Sequence, residues 1–301
     1  MINYIIISLA VVCFAGQFAF TKLYEGAVRQ TALTALVMLI GTSLIGALLF
    51  LFVGGFRVQI TPSSAMLALC LAVVMVPYYM IGIKILSLGS LAVYSMFMML
   101  GGMLVPFFYG VCLLDEPLSA AKIIGTVLLS LFIIMQSLCQ GQADGSARKR
   151  GGGLFIFLCI LIFFINGATG VIAKAHQLSS APVDEVSFTV ISCAFTALLS
   201  TLILPVACLK SKGTAVAQIA TVLKPKPLIS MSLIGVAAYV GSFLHLKAAG
   251  AVPASVQFPL VSGGVIVLSA LVSAFAFRER LSVKEWIAVA GVCESTVLFA
   301  F

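Results

Sequence analysis

Lys84 stands between two isoleucines in the stretch Pro77-Tyr-Tyr-Met-Ile-Gly-Ile-Lys-Ile-Leu-Ser-Leu-Gly-Ser90, at the end of a long run that otherwise carries no charge. An ammonium so placed either snorkels to the membrane interface or draws an anionic group toward a cavity. Lys247, in Phe243-Leu-His-Leu-Lys-Ala-Ala-Gly250, repeats the arrangement 163 residues on (247 − 84). Amides are the next polar groups with chemical potential: Asn166 and Gln257 lie away from the ends of apolar runs, and Gln17 stands late in the first one. An amide in such a place needs a partner or water. Tyr78, Tyr79, Tyr94, Tyr239 and His245 add hydroxyls and an imidazole, and a tyrosine in an apolar run serves either an interfacial belt or a cavity wall. Two histidines without acidic or thiol neighbours build no metal site. No catalytic constellation of acids, histidine and nucleophile is spaced within the runs, so neither enzymatic activity nor a cofactor is expected.

These residues sit in a chain of 301 that is 62% hydrophobic and 9% charged, against roughly 45–50% apolar and 25% charged in a soluble domain. That composition predicts an all-α integral membrane protein. A hydrocarbon core about 30 Å thick takes about 20 apolar residues per helical crossing, and only helices or closed barrels satisfy their own backbone in lipid. A barrel would show short alternating segments instead of unbroken runs. The net charge of +8 does not point to nucleic acid, because the basic residues are scattered through short connections, where they set membrane orientation. The first run starts almost at Met1 without a basic leader and is followed by others, which predicts a retained helix and no cleaved signal. The eight cysteines lie in or beside apolar runs and none forms a C-x-x-C pair, so they read as small hydrophobes.

The runs predict ten crossings, near 2–20, 31–53, 63–86, 90–113, 118–138, 153–174, 185–208, 228–248, 251–277 and 283–301. Residues 139–152, glycine-rich and carrying Arg148-Lys149-Arg150, form a linker between a half over 1–138 and a half over 153–301. The halves echo one another. Asp115-Glu-Pro-Leu-Ser119 stands against Arg278-Glu-Arg-Leu-Ser282, and the same offset of 163 (278 − 115) pairs Gly101 with Gly264. Nearer the front of each half, an offset of 152 (174 − 22) pairs Lys22 with Lys174. With five helices per half the second enters from the opposite side, so two inverted five-helix repeats are expected.

Ser282 and Glu285 have the spacing of a capping box, whereas Ser119 is followed by Lys122 and keeps the serine cap alone. Glu116 and Glu279 read as hairpin residues beside positive helix ends and not as substrate ligands. Glu294, a carboxylate within the last run, reads as capped or interfacial. Gly101, Gly102 and Pro106 in the fourth run, and Pro259, Gly263 and Gly264 in the ninth, are expected to allow close helix approach or hinging. Interruptions at corresponding places in two halves also point to a transport site. The expected cavity residues are Gln17, Tyr79, Lys84, Tyr94, Asn166, Tyr239, Lys247 and Gln257.

Phe14-Ala-Gly-Gln-Phe-Ala-Phe-Thr-Lys22 and Phe164-Ile-Asn-Gly-Ala-Thr-Gly-Val-Ile-Ala-Lys174 close the first and sixth runs. With the two x-E-x-L-S elements and the small-residue fourth and ninth runs, they make the chain resemble the drug/metabolite transporter superfamily, specifically its ten-helix EamA-type members, over essentially its whole length. The resemblance implies a secondary transporter in the plasma (inner) membrane, an exporter of a small metabolite, amino acid or amphipathic compound. It implies a cavity lined mainly by helices one, three, four, six, eight and nine, with five and ten peripheral and open to homodimer contact. Related phosphate-ester translocators carry a basic pair in the ninth helix where this chain has Val261 and Ser262, which argues against phosphorylated sugars. The alternative is a non-transport membrane protein, either an intramembrane enzyme, which would need a catalytic constellation inside its spans, or a structural or signalling component, which would not need matched halves. Orientation reads two ways. Connections after odd-numbered helices hold 12 of the 17 basic residues, with Lys84 close by, against Arg57, Lys122, Lys174 and Lys247 on the other side; this puts the termini outside, whereas the resemblance implies termini inside.

Overall fold

The structure is a computed structural model that describes residues 2–88, 91–143, 152–211, 213–278 and 281–300. Its helices are α1 (Ile2–Ala27), α2 (Ala32–Val53), α3 (Pro62–Leu88), α4 (Leu91–Leu113), α5 (Ala120–Ala143), α6 (Gly153–Gln177), α7 (Glu185–Lys210), α8 (Ala215–Val222), α9 (Pro225–Ala249), α10 (Ala254–Phe275) and α11 (Val283–Val297). A 3-10 turn follows at Leu298–Ala300. The basic triplet 148–150, Lys212, Glu279 and Arg280 lie outside the described residues.

Among the described residues, nine helices are long and apolar enough to cross a membrane. The fold is that of a helical multi-pass membrane protein. α11, at 15 residues, is about 22 Å long at 1.5 Å per residue, so the regular helix expected over 283–301 stops at Val297. α8 was not expected; it fills the long connection before α9, so the expected eighth, ninth and tenth helices are α9, α10 and α11. α5 runs on to Ala143, into the first residues of the expected linker.

Leu9, Val12, Leu48, Val127, Leu131, Phe157 and Leu202 are each more than half exposed. In water such a surface would cost roughly 25 cal/mol per Å²; in lipid it costs nothing. The interior uses small residues instead. Ala10, Ala68, Ala72, Ser43, Ser64 and Ser200 are fully buried, and they let backbones approach closely. At the crossing of α4 and α6, Gly101 rests on the backbone of Phe163 with no room for a Cβ, and Gly167 meets Val105 in return. Gly264 packs against Val11 of α1, and Gly263 against Thr296 of α11. Pro106 and Pro259 lie inside α4 and α10, where they have no N–H for the carbonyls of Gly102 and Ser255.

The helix starts are capped much as their sequences direct. Ser282 N donates to Glu285 Oε2 at 2.6 Å and Glu285 N to Ser282 Oγ at 3.3 Å, completing the expected box. Ser119 Oγ accepts from Lys122 N at 3.2 Å. Asp115 and Arg278, the first residues of the two matched elements, both adopt left-handed backbone, with φ of 50° and 55°. That conformation costs a non-glycine residue about 1–3 kcal/mol, and here it recurs at equivalent places.

Candidate functional site

Eight helices, α1, α2, α3, α4, α6, α7, α9 and α10, enclose a cavity of about 360 Å³, within the range of small-molecule sites. Phe14 and Gln17 enter it from α1, Tyr78 and Tyr79 from α3, Gly102 from α4, and Asn166 from α6. Tyr239 and His245 come from α9, and Phe258 and Ser262 from α10. The aromatic rings are set against one another. Tyr78 and Tyr79 meet edge to face with centroids 5.4 Å apart, and His245 lies edge-on to Phe258 at 4.9 Å.

Several of the polar groups are held by the protein itself. Asn166 Nδ2 donates to the carbonyl of Met98 on α4 at 2.7 Å, which fixes the amide and leaves its Oδ1 to the cavity. Gly102 lies directly under that amide, so the small residue on α4 makes space for Asn166. The hydroxyls of Tyr239 and Ser43 stand 2.8 Å apart, and Tyr78 Oη donates to Met98 Sδ at 2.8 Å. Gln17 and Tyr79 differ: among the described residues neither side chain's polar atoms have a protein partner, and neither is sealed in the interior.

Four expected cavity residues, Gln17, Tyr79, Asn166 and Tyr239, are therefore brought together. The other four are not among the residues lining the cavity. Lys84 and Lys247 are exposed near the ends of α3 and α9, where four-carbon stems carry the ammonium out along the helix. Tyr94 turns its hydroxyl onto Gly82 of α3. Gln257 is fully buried in α10, its Nε2 donating to the carbonyl of His245 at 2.7 Å. It is a packing amide behind the wall. Thr42 of α2 and Thr189, Ser192 and Thr196 of α7 line the cavity though α2 and α7 were not expected to. Their signal was present in the spacing: Thr189, Ser192 and Thr196 recur at three and four residues and share one helical face. Among the described residues no cluster of His, Cys, Asp and Glu could hold a metal ion.

A second polar assembly stands at the corner between α9 and α10. Lys174, 5% exposed, donates from Nζ to the carbonyls of Ala249 and Val252 at 2.7 and 2.8 Å. Glu116 accepts the backbone N–H groups of Ala254 and Ser255 at 2.6 and 2.8 Å. An ammonium thus takes the carbonyl that the last residue of α9 leaves open and that of Val252 in the turn that follows, and a carboxylate takes N–H groups that the N-terminus of α10 leaves open. Lys122 joins them, its Nζ 2.8 Å from the carbonyl of Pro117 and 3.4 Å from Ser255 Oγ. Glu116 is structural, but its partner is a distant helix and not the hairpin that carries it. Beside this corner, buried His176 stacks on Phe188 at 3.7 Å, with Nε2 3.1 Å from Ser64 Oγ.

Fold and site define a polytopic helical membrane protein with an aromatic and amide-lined internal cavity. No protein-family model matches the chain, and no curated protein does. A solved crystal structure, described only as that of a protein, superposes over 98% of this chain and 95% of its own length with a TM-score of 0.67 and 17% sequence identity. At that identity the similarity concerns the fold alone.

Proposed function

We propose that the chain is a secondary transporter of the EamA type in the drug/metabolite transporter superfamily, exporting a small metabolite across the plasma membrane by alternating access. The observation that carries this reading is the shared cavity wall. Gln17, Tyr79 and Gly102 come from the first half of the chain, and Asn166, Tyr239 and Ser262 from the second. A site between two halves is what alternating access needs, since moving one half against the other exposes it to each side in turn. Inverted five-helix repeats, with α11 and its terminal turn as a tenth crossing, are supported by the matched left-handed residues Asp115 and Arg278. α5 and α11 pack on each other at the periphery, with Val127, Leu131 and Ile287 exposed, and these helices are the proposed homodimer contact.

Uptake into proteoliposomes across a panel of small metabolites tests the function. Protein-dependent flux of at least one compound is expected, and no flux of any compound above empty liposomes would sink the proposal. A reporter active on one side of the membrane, fused after Phe301, separates the two orientations.

A further inference from the structure

Resting on the transporter reading, we infer that the cargo is an uncharged molecule with a flat aromatic or apolar body, and that Gln17 and Tyr79 are its hydrogen-bonding contacts. The cavity wall is made of aromatic rings, aliphatic and thioether side chains, hydroxyls, amides and the imidazole of His245, with no Asp, Glu, Lys or Arg among the described lining residues. An ionic group taken from water into such a site keeps most of its desolvation cost, because nothing of opposite charge replaces the lost water. Lysines able to receive an anion stand elsewhere. Lys84 and Lys247 are exposed at helix ends, and Lys174 is bound to the carbonyls of Ala249 and Val252. A zwitterion has the same difficulty twice over, since each charged end needs its own partner.

The wall does match an uncharged polar head. Tyr239 and Tyr78 already spend their hydroxyls on Ser43 and Met98, and Asn166 spends its Nδ2 on the Met98 carbonyl. The groups left for a guest include the Gln17 amide, able to donate and accept, the Tyr79 hydroxyl and Asn166 Oδ1, with the lining side chains of Ser242, His245 and Ser262 beside them. An amide, hydroxyl or carbonyl head satisfies these groups without bringing charge. A flat body then lies among Phe14, Phe258 and Tyr239, where rings stack offset or edge to face.

The test uses four phenyl compounds of similar size: phenylacetamide (uncharged), phenethylamine (cation), phenylacetate (anion) and phenylalanine (zwitterion). Each is titrated at millimolar concentration against the purified full-length protein in detergent, with the thermal unfolding midpoint as readout, so that binding is read without any requirement for transport. Phenylacetamide should raise the midpoint at concentrations at least tenfold lower than the other three. Gln17→Leu and Tyr79→Phe should each weaken its apparent affinity roughly three- to tenfold, the loss of one neutral hydrogen bond, while Lys84→Gln leaves it unchanged. Equal or stronger stabilisation by a charged member overturns the inference; if that member is phenethylamine, the ring faces hold a cation. Absence of stabilisation by all four overturns it too. If phenylacetamide binds but the metabolite panel shows no flux, the transporter reading falls and the ligand class stands.

Discussion

The ammonium of Lys174 on α6 lies 2.7 Å from the carbonyl oxygen of Ala249, 75 residues further along the chain. With Glu116 on the neighbouring N–H groups, it closes the corner between α9 and α10. In Lys174→Met two carbonyls lose their donor at a site that water does not replace, and leaving a buried polar group unsatisfied costs about 1–3 kcal/mol. Lys247→Met removes an exposed ammonium and should cost about 1 kcal/mol or less. Thermal unfolding in detergent should therefore show a clear fall for Lys174→Met and little change for Lys247→Met; equal effects would mean that the corner is not held as described.

Glu116→Gln keeps the volume but replaces a charged acceptor of two N–H groups with an amide that offers one oxygen. Hydrogen bonds to charged groups contribute about 1.5–3 kcal/mol, so a loss near the lower end is expected. Amide exchange read by mass spectrometry should speed up at Ala254 and Ser255 in that variant, while the start of α11, capped by its own Ser282, is unaffected.

Gly101→Val places a branched side chain where the backbone of Phe163 already stands. Overpacking typically costs about 1–3 kcal/mol, and more is expected here because backbone has to move. Gly26→Ala meets nothing within 4 Å and should be neutral or stabilising by up to about 1 kcal/mol. Comparing the two unfolding midpoints checks that the effect belongs to the α4–α6 crossing and not to glycine replacement as such.

Tyr239→Phe leaves Ser43 Oγ, 0% exposed, without its 2.8 Å partner. A stability loss of about 1 kcal/mol is expected. Adding Ser43→Ala should recover part of it, since replacing both partners removes the unsatisfied group. A double-mutant cycle that shows no coupling would sink the pairing of α2 with α9 through these hydroxyls.

The apolar runs, the capping box at Ser282 and the helical nature of the chain were legible in sequence because lipid imposes them locally. A crossing needs an unbroken apolar stretch, and a box closes within three residues. Four cavity residues were also legible, since an amide or tyrosine deep in such a stretch needs somewhere polar to face. Which side of its helix a residue presents was not. Gln257 and Asn166 look alike as buried amides, yet the rotation of α10 puts one behind the wall and that of α6 puts the other on it. Glu116 looked like part of a local turn, and its acceptor oxygens serve N–H groups 138 and 139 residues away. Periodicity specifies a helix and its polar stripe; only the packing of the other helices around it decides whether that stripe meets a cavity, a neighbouring backbone or the membrane surface.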